Sequence, residues 1–205
     1  MSTHDLAVEA GHEEEHHTSM GLDNVKVAMW AFLGSECLFF GSMISTYLLY
    51  RGRTGSGPSP HEIYDIPYTS VSSFVLLMSS LTMVLALGAF QRNDDRQGRI
   101  WLLATAFLGV TFIGGQIYEF TTFYEEGLAL ATSPFGSSFF MLTGFHGAHV
   151  TVGILMLLSL YGMSAFGRIE GGRTAARPVE MVGLYWHFVD IVWIVIFMIV
   201  YLIPE

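Results

Sequence analysis

The chain has 205 residues, a mean hydropathy of +0.48 and only 13% charged residues, about half the roughly 25% of an ordinary globular domain. Its charges gather in short patches between long uncharged runs, which excludes a soluble core with polar residues at helix or strand period and reads as a polytopic membrane protein. A net charge of −9 argues against nucleic-acid binding.

Residues 1–26 form an acidic tail containing His4, His12, His16 and His17 with an "EEE" run. The composition points to a disordered, solvated segment, with metal binding as the competing reading. It has no basic n-region, so no signal peptide is expected. Residues 27–205 are expected to be all-α, because lipid-exposed backbone must satisfy its own hydrogen bonds. Five apolar stretches follow: Val27–Tyr50, Val71–Phe90, Ile100–Phe120, Ser138–Phe166 and Gly183–Ile203. Each reaches the roughly 20 residues that cross about 30 Å of hydrocarbon as a helix. Their continuous hydrophobicity excludes the short alternating strands of a β-barrel. Segments rich in Gly, Pro, Asp and Arg connect them and mark loops. The single cysteine, Cys37, allows no intrachain disulfide and, in apolar surroundings, is expected to be inert.

Five spans put Lys26, Arg92, Arg96, Arg99, Arg168, Arg173 and Arg177 on one side and only Arg51 and Arg53 on the other. The excess of basic residues assigns the first side, with the N-terminus, to the cytoplasm and leaves the C-terminus outside. Trp30, Tyr47, Tyr50, Trp101, Tyr118 and Tyr201 lie near span ends, where an interfacial aromatic belt is expected.

Ionisable side chains inside a span cost about 2.5–3.5 kcal/mol or more and normally face a partner or water. In chain order the ionisable residues, with the polar amide Gln116 beside one of them, are Glu36 in the first span, Glu119 with Gln116 in the third, His146 and His149 in the fourth, and His187 with Asp190 in the fifth. Glu36 and His149 both fall near the midplane, so contact between them across the bundle is expected. The three other pairs are each spaced i, i+3, one helix face apiece, and each pair can share a hydrogen bond or aim at one neighbour. Gly144, Gly147, Ala148 and Gly153 leave room beside the histidines for a second helix or a lipid chain. Three readings of the histidines compete: metal or haem ligation, a proton or ion path, and polar contacts that fix helix register and hold lipid or a partner. The residues themselves favour the last. No glycine elbow or phosphate loop suggests catalysis.

"GFHGAHVTVG" and "YWHFVDIVWIVIFMIVY" resemble the signature segments of subunit III of the haem–copper oxidases. "SECLFFGSMIS", "PYTSVSSFVLLMSSLTM" and "GQIYEFTTFYEEG" resemble its other helices, collinear from about Lys26 to the end. The chain is similar to the five-helix bacterial form. The resemblance implies a bundle with a V-shaped cleft holding phospholipids, packed on the catalytic subunit I. The resemblance further implies that haem and copper lie in the partner subunits and that none is bound by this chain. It also implies support of oxygen access, proton uptake and durability of the complex in the bacterial plasma membrane. Glu36 falls on the family's carbodiimide-reactive glutamate. His146, His149, His187, Asp190, Gln116 and Glu119 take structural or lipid-cleft roles. A quinol oxidase, or the accessory subunit of nitric oxide reductase, is the alternative setting, and the chain does not encode the electron donor.

Overall fold

The computed structural model describes residues 24–55, 64–168 and 173–203. The tail histidines and the "EEE" run lie outside the described residues. Five long helices run up and down: α1 (Asn24–Tyr50), α2 (Ile66–Gln91), α3 (Asp95–Glu125), α4 (Pro134–Ala165) and α5 (Arg173–Phe197). A π-helical turn, Met198–Leu202, extends α5. All five have the length and hydropathy of membrane spans, the fifth counted over Ala176–Leu202. The chain is therefore an all-α multi-pass membrane protein.

Most of the helices overrun the apolar windows read from sequence, because capping chemistry rather than hydropathy sets their ends. Asp65 accepts from the Tyr68 N–H, Asp94 from the Gln97 N–H and Ser133 from the Gly136 N–H, each at the first turn of a helix. Pro67 and Pro134 sit at the first or second helical position, where the missing N–H is unneeded. α3 continues to Glu125 and ends in a reversal at Gly127 (φ 90°), with the Leu128 N–H bonded to the Phe123 carbonyl. α4 ends alike at Gly167 (φ 67°). The largest departure is α5, which begins at Arg173 and carries Pro178 inside it; the stretch before Gly183 reads as loop in sequence. A proline near a helix start forfeits few bonds, since the first four N–H groups have no partner in the helix.

α2 and α3 form a tight hairpin through residues 92–94, with Asn93 in the left-handed region (φ 61°). α2 packs on α5, α3 packs on α4, and α4 packs on α5 in turn, while α3 reaches α5 through Phe112 against Trp193 and Gly109 against Trp186. The helices are apolar around most of their circumference, so the core is made by shape. Trp186 and Trp193, seven residues apart on α5, are 1% and 2% exposed. Their indole N–H groups donate to Ser79 and Ser73 of α2, both at 2.9 Å. Gly109 of α3 and Gly153 of α4 form slots for the Trp186 ring; a Cβ at either would stand 2.7 or 2.8 Å from it.

α1 is attached differently. Its buried residues are Leu33, Phe40 and Tyr47, a seven-residue repeat. With Lys26, Met29, Glu36 and Met43 these trace one coiled-coil-like seam laid on α4 and α5. Lys26 pairs with Glu180 at 2.8 Å at one end, and Tyr47 packs on Phe135 at 6.2 Å between ring centroids at the other. Most of the rest of its surface is left uncovered by the described residues.

The seven basic residues and the two others do lie at opposite ends of the bundle. Arg99 donates to the Ser164 carbonyl at 3.2 Å at one end, and the Phe135 N–H donates to the Arg53 carbonyl at 3.4 Å at the other. The aromatic belt needs correction at two places. Tyr47 and Tyr201 are 2% and 5% exposed and belong to the interior, whereas Trp30 and Tyr118 do face outward.

Candidate functional site: the intramembrane polar contacts

Glu36 and His149 meet. His149 Nε2 lies 3.2 Å from Glu36 Oε2, and both side chains are largely buried. The other ring nitrogen, Nδ1, lies 2.7 Å from the Phe145 carbonyl oxygen. A carbonyl cannot donate, so Nδ1 carries a hydrogen. The second contact then needs one more proton, on the imidazole or on the carboxyl. Either way the pair is neutral overall, which limits the cost of holding it at the midplane. Phe39, Phe40 and Phe145 surround it, and the Tyr185 hydroxyl donates to the His149 carbonyl at 3.0 Å. The pair is the polar clasp of the α1 seam.

His146 shares its helix face and the Phe40 ring with His149, but not its other neighbours. It is fully buried, stacked on Trp193 at 4.8 Å and edge-on to Phe112 at 5.9 Å. Neither of its nitrogens has a hydrogen-bond partner among the described residues. It acts as a flat aromatic packing piece, and its ring face is not open to a ligand. Both histidine rings touch Phe40 of α1, but only His149 bonds to that helix, through Glu36, while His146 lies against Trp193 of α5 and Phe112 of α3.

Gln116 and Glu119 also diverge. Gln116 donates to the Thr143 carbonyl of α4 at 2.9 Å, and its side chain fills the space above Gly147, where a Cβ would stand 2.7 Å from Oε1. The space beside Gly147 and Gly153 is thus taken by Gln116 and Trp186, whereas a Cβ at Gly144 would meet nothing within 4 Å, and Gly144 and Ala148 line an open cavity. Glu119 accepts from Thr69 of α2 at 2.7 Å and from the Tyr201 phenol in the π-helical turn. Tyr64, in the connection before α2, packs on Tyr201 at 4.7 Å. Burial, with the phenols of Tyr47 and Tyr201 nearby, pushes the Tyr64 hydroxyl well above the ordinary phenol range.

On α5, His187 Nδ1 lies 2.6 Å from the Ser80 hydroxyl of α2. Asp190 is 3% exposed and faces the same serine, yet its carboxylate oxygens lack a hydrogen bond of good geometry. The two side chains do not bond to each other; both turn toward α2. Among the described residues no group of three or more His, Cys, Asp or Glu side chains converges as a metal site would require. Ser73, Ser79, Ser80 and Thr69 complete these contacts. They carry no sequence signal beyond α2's unusual share of hydroxyls.

The fold and its internal contacts define a polytopic helical membrane protein, five spans whose polar groups are directed largely at neighbouring helices. The sequence profile of the cytochrome c oxidase subunit III family matches residues 2–204. The chain belongs to that family, in its five-helix form, and is a subunit III of a haem–copper oxidase complex, with other oxidase subunits as partners. It is 37% identical to the cytochrome c oxidase subunit 3 of Bacillus sp. (strain PS3) over 188 residues, 92% of this chain and 90% of that one. It is 40% identical to the cytochrome bo(3) ubiquinol oxidase subunit 3 of Pseudomonas aeruginosa over 199 residues, 96% and 92% of the two chains. The quinol oxidase subunit 3 of Bacillus subtilis (strain 168) is 36% identical over 188 residues, 92% and 91%.

Proposed function

We propose that this chain is a non-catalytic subunit of a respiratory terminal oxidase, packed against subunit I, where haem and copper reduce oxygen and protons are pumped. Its part is to hold phospholipids in a V-shaped cleft, support oxygen access and proton uptake, and prolong the working life of the complex. The observation that carries this reading is the destination of the buried polar groups: Glu36, Gln116, Glu119, His149 and His187 each bond across to another helix. Such contacts fix a bundle and offer no route for electrons. The collection of seven basic residues at one end supports a cytoplasmic N-terminus and an external C-terminus in the bacterial plasma membrane. On the same rule the acidic stretch of sequence that precedes α1 lies on the cytoplasmic side.

Cytochrome c is the electron donor under the first reading. A quinol donor is the second, and the 40% identity to a ubiquinol oxidase subunit 3 favours it. A nitric oxide reductase setting is the third. Co-purification tests all three. A haem-bearing oxygen-reducing partner is expected, and its activity with reduced cytochrome c or quinol decides the donor. Deletion of this chain should leave initial oxygen reduction intact and shorten the period over which turnover is sustained. Stoichiometric haem or copper on this chain would overturn the assignment.

A further inference from the structure

The start of α1 and the end of α4 lie side by side. Asn24 and Tyr161 are each twelve residues from the Glu36–His149 contact on antiparallel helices, so the chain enters α1 level with the last turns of α4. Basic residues from two helices gather at that end. Arg99 of α3 donates to the Ser164 carbonyl at 3.2 Å, and Arg96 stands three residues before it on the same helix face. The reversal at Gly167 folds the chain back over α4, with the Arg168 N–H bonded to the Met163 carbonyl at 2.9 Å. Arg96 and Arg168 are exposed. Among the described residues neither has a carboxylate within ion-pair distance. The two carboxylates at the start of α3 are engaged elsewhere: Asp94 accepts from the Gln97 N–H at 3.0 Å, and Asp95 keeps its Oδ1 buried.

The complementary charge lies in the sequence just before α1. Residues 1–23 contain Asp5, Glu9, Glu13, Glu14, Glu15 and Asp23 and no lysine or arginine. Glu15 is nine residues before Asn24, and nine residues span at most about 30 Å. Arg168 lies about 10 Å beyond Tyr161 along α4 and one helix spacing of about 9 Å across from α1, about 14 Å in all. The run of three glutamates therefore reaches the arginines with slack. A partner on so short a linker is held at an effective concentration in the millimolar range, which exposed ion pairs need if they are to persist.

We propose that the Glu13–Glu15 run docks on Arg96, Arg99 and Arg168, as a strap from the start of α1 across the end of α4. The strap adds a second fastening, beside the Lys26–Glu180 pair, to a helix otherwise held by one seam. It requires only that the start of α1 and the end of α4 share one end of the bundle, and it rests on neither the electron donor nor the orientation in the membrane.

The test uses the assembled complex in phosphatidylcholine nanodiscs, with His17→Cys and Phe166→Cys in a Cys37→Ser background and a short bismaleimide to join the two thiols. Phe166 is 84% exposed two residues before Arg168, so the pair reports docking without altering the charges. The initial rate at which the mapped cross-linked peptide forms is expected to fall about fivefold in Arg96→Gln/Arg168→Gln, the scale of two exposed ion pairs. It should fall at least as far in Glu13→Gln/Glu14→Gln/Glu15→Gln, and at high salt. A rate indifferent to all three changes would overturn the strap, because chance collision of a linked segment is blind to charge. A rate that collapses when phosphatidylglycerol replaces phosphatidylcholine would also overturn it, and would assign the arginines to lipid phosphate. Should the arginine variant fail to assemble, the triple glutamine variant decides alone, since it changes nothing in the bundle. Turnover plays no part in the readout, so failure here is distinguishable from a wrong partner assignment.

Discussion

The Trp186 slot gives the sharpest test of the packing. The indole lies between Gly109 on one side and Gly153 on the other, and a methyl group placed on either glycine stands 2.7 or 2.8 Å from ring carbons. Ordinary carbon contacts are about 3.5–4.0 Å, so something must move. Trp186 is 1% exposed and tied to Ser79 through its N–H, which leaves the ring little freedom. Gly109→Ala and Gly153→Ala should each cost about 1–3 kcal/mol, the usual penalty for adding carbon to a filled core. Each single variant lets the ring drift toward the remaining glycine. The double variant closes that escape, so its cost should exceed the sum by about 0.5 kcal/mol or more. The assay is the midpoint for thermal release of this subunit from the purified complex, with about 2–4 °C expected per kcal/mol for a chain of this size. Repeating Gly109→Ala in a Trp186→Phe background should shrink its cost, because the shorter ring vacates the slot. A Gly109→Ala cost identical in both backgrounds would refute the sandwich.

Glu36→Gln should keep α1 in place, since the amide can donate to His149 Nε2. Glu36→Ala strips that partner and should weaken α1 attachment by about 1–3 kcal/mol, read as easier protease or label access to the Phe40 face. Glu119→Leu leaves the Tyr201 hydroxyl without its carboxylate acceptor and returns the Thr69 hydroxyl to the Asp65 carbonyl, 3.0 Å away; it should lower the release midpoint by more than Glu119→Gln does, and equal effects would show the carboxylate to be dispensable as an acceptor. Asp190→Leu should change chain stability by less than about 1.5 kcal/mol, because the carboxylate lacks well-formed bonds to lose. A loss above about 3 kcal/mol on thermal release would mean it is firmly partnered. Lys26→Met removes a half-exposed ion pair and should cost no more than about 1 kcal/mol on the same scale.

Much of the architecture was readable in advance because hydropathy and length report spans directly. The Glu36–His149 contact was readable because two costly groups at one depth have few other places to go. What escaped was rotation about each helix axis. In a soluble helix the polar face announces the buried one, but α1 to α4 are apolar all round, and only contact shape says which residues face inward. Tyr47 and Tyr201 were therefore assigned to the belt by position along the span, though their side chains turn inward to the Glu119 cluster. Trp186 and Trp193 gave no sign of being the core's keystones, since tryptophan is equally at home facing lipid. The separation of His146 from His149, and of Gln116 from Glu119, has the same origin. Three residues on a helix amount to a rotation of about 60°, enough to choose different neighbours at a three-way junction. The early start of α5 was hidden by Pro178, which sequence rules take as a stop.

The seam of α1 has a consequence for biogenesis. Glu36 is made early, but its imidazole partner follows 113 residues later. At about 5–20 residues per second that is a delay of roughly 6–23 seconds. During that interval the first span must sit in or beside the translocon with a carboxyl group at its centre and no companion to neutralise it. The helix is thus first to emerge and among the last to dock, so the cell must shelter it until α4 arrives.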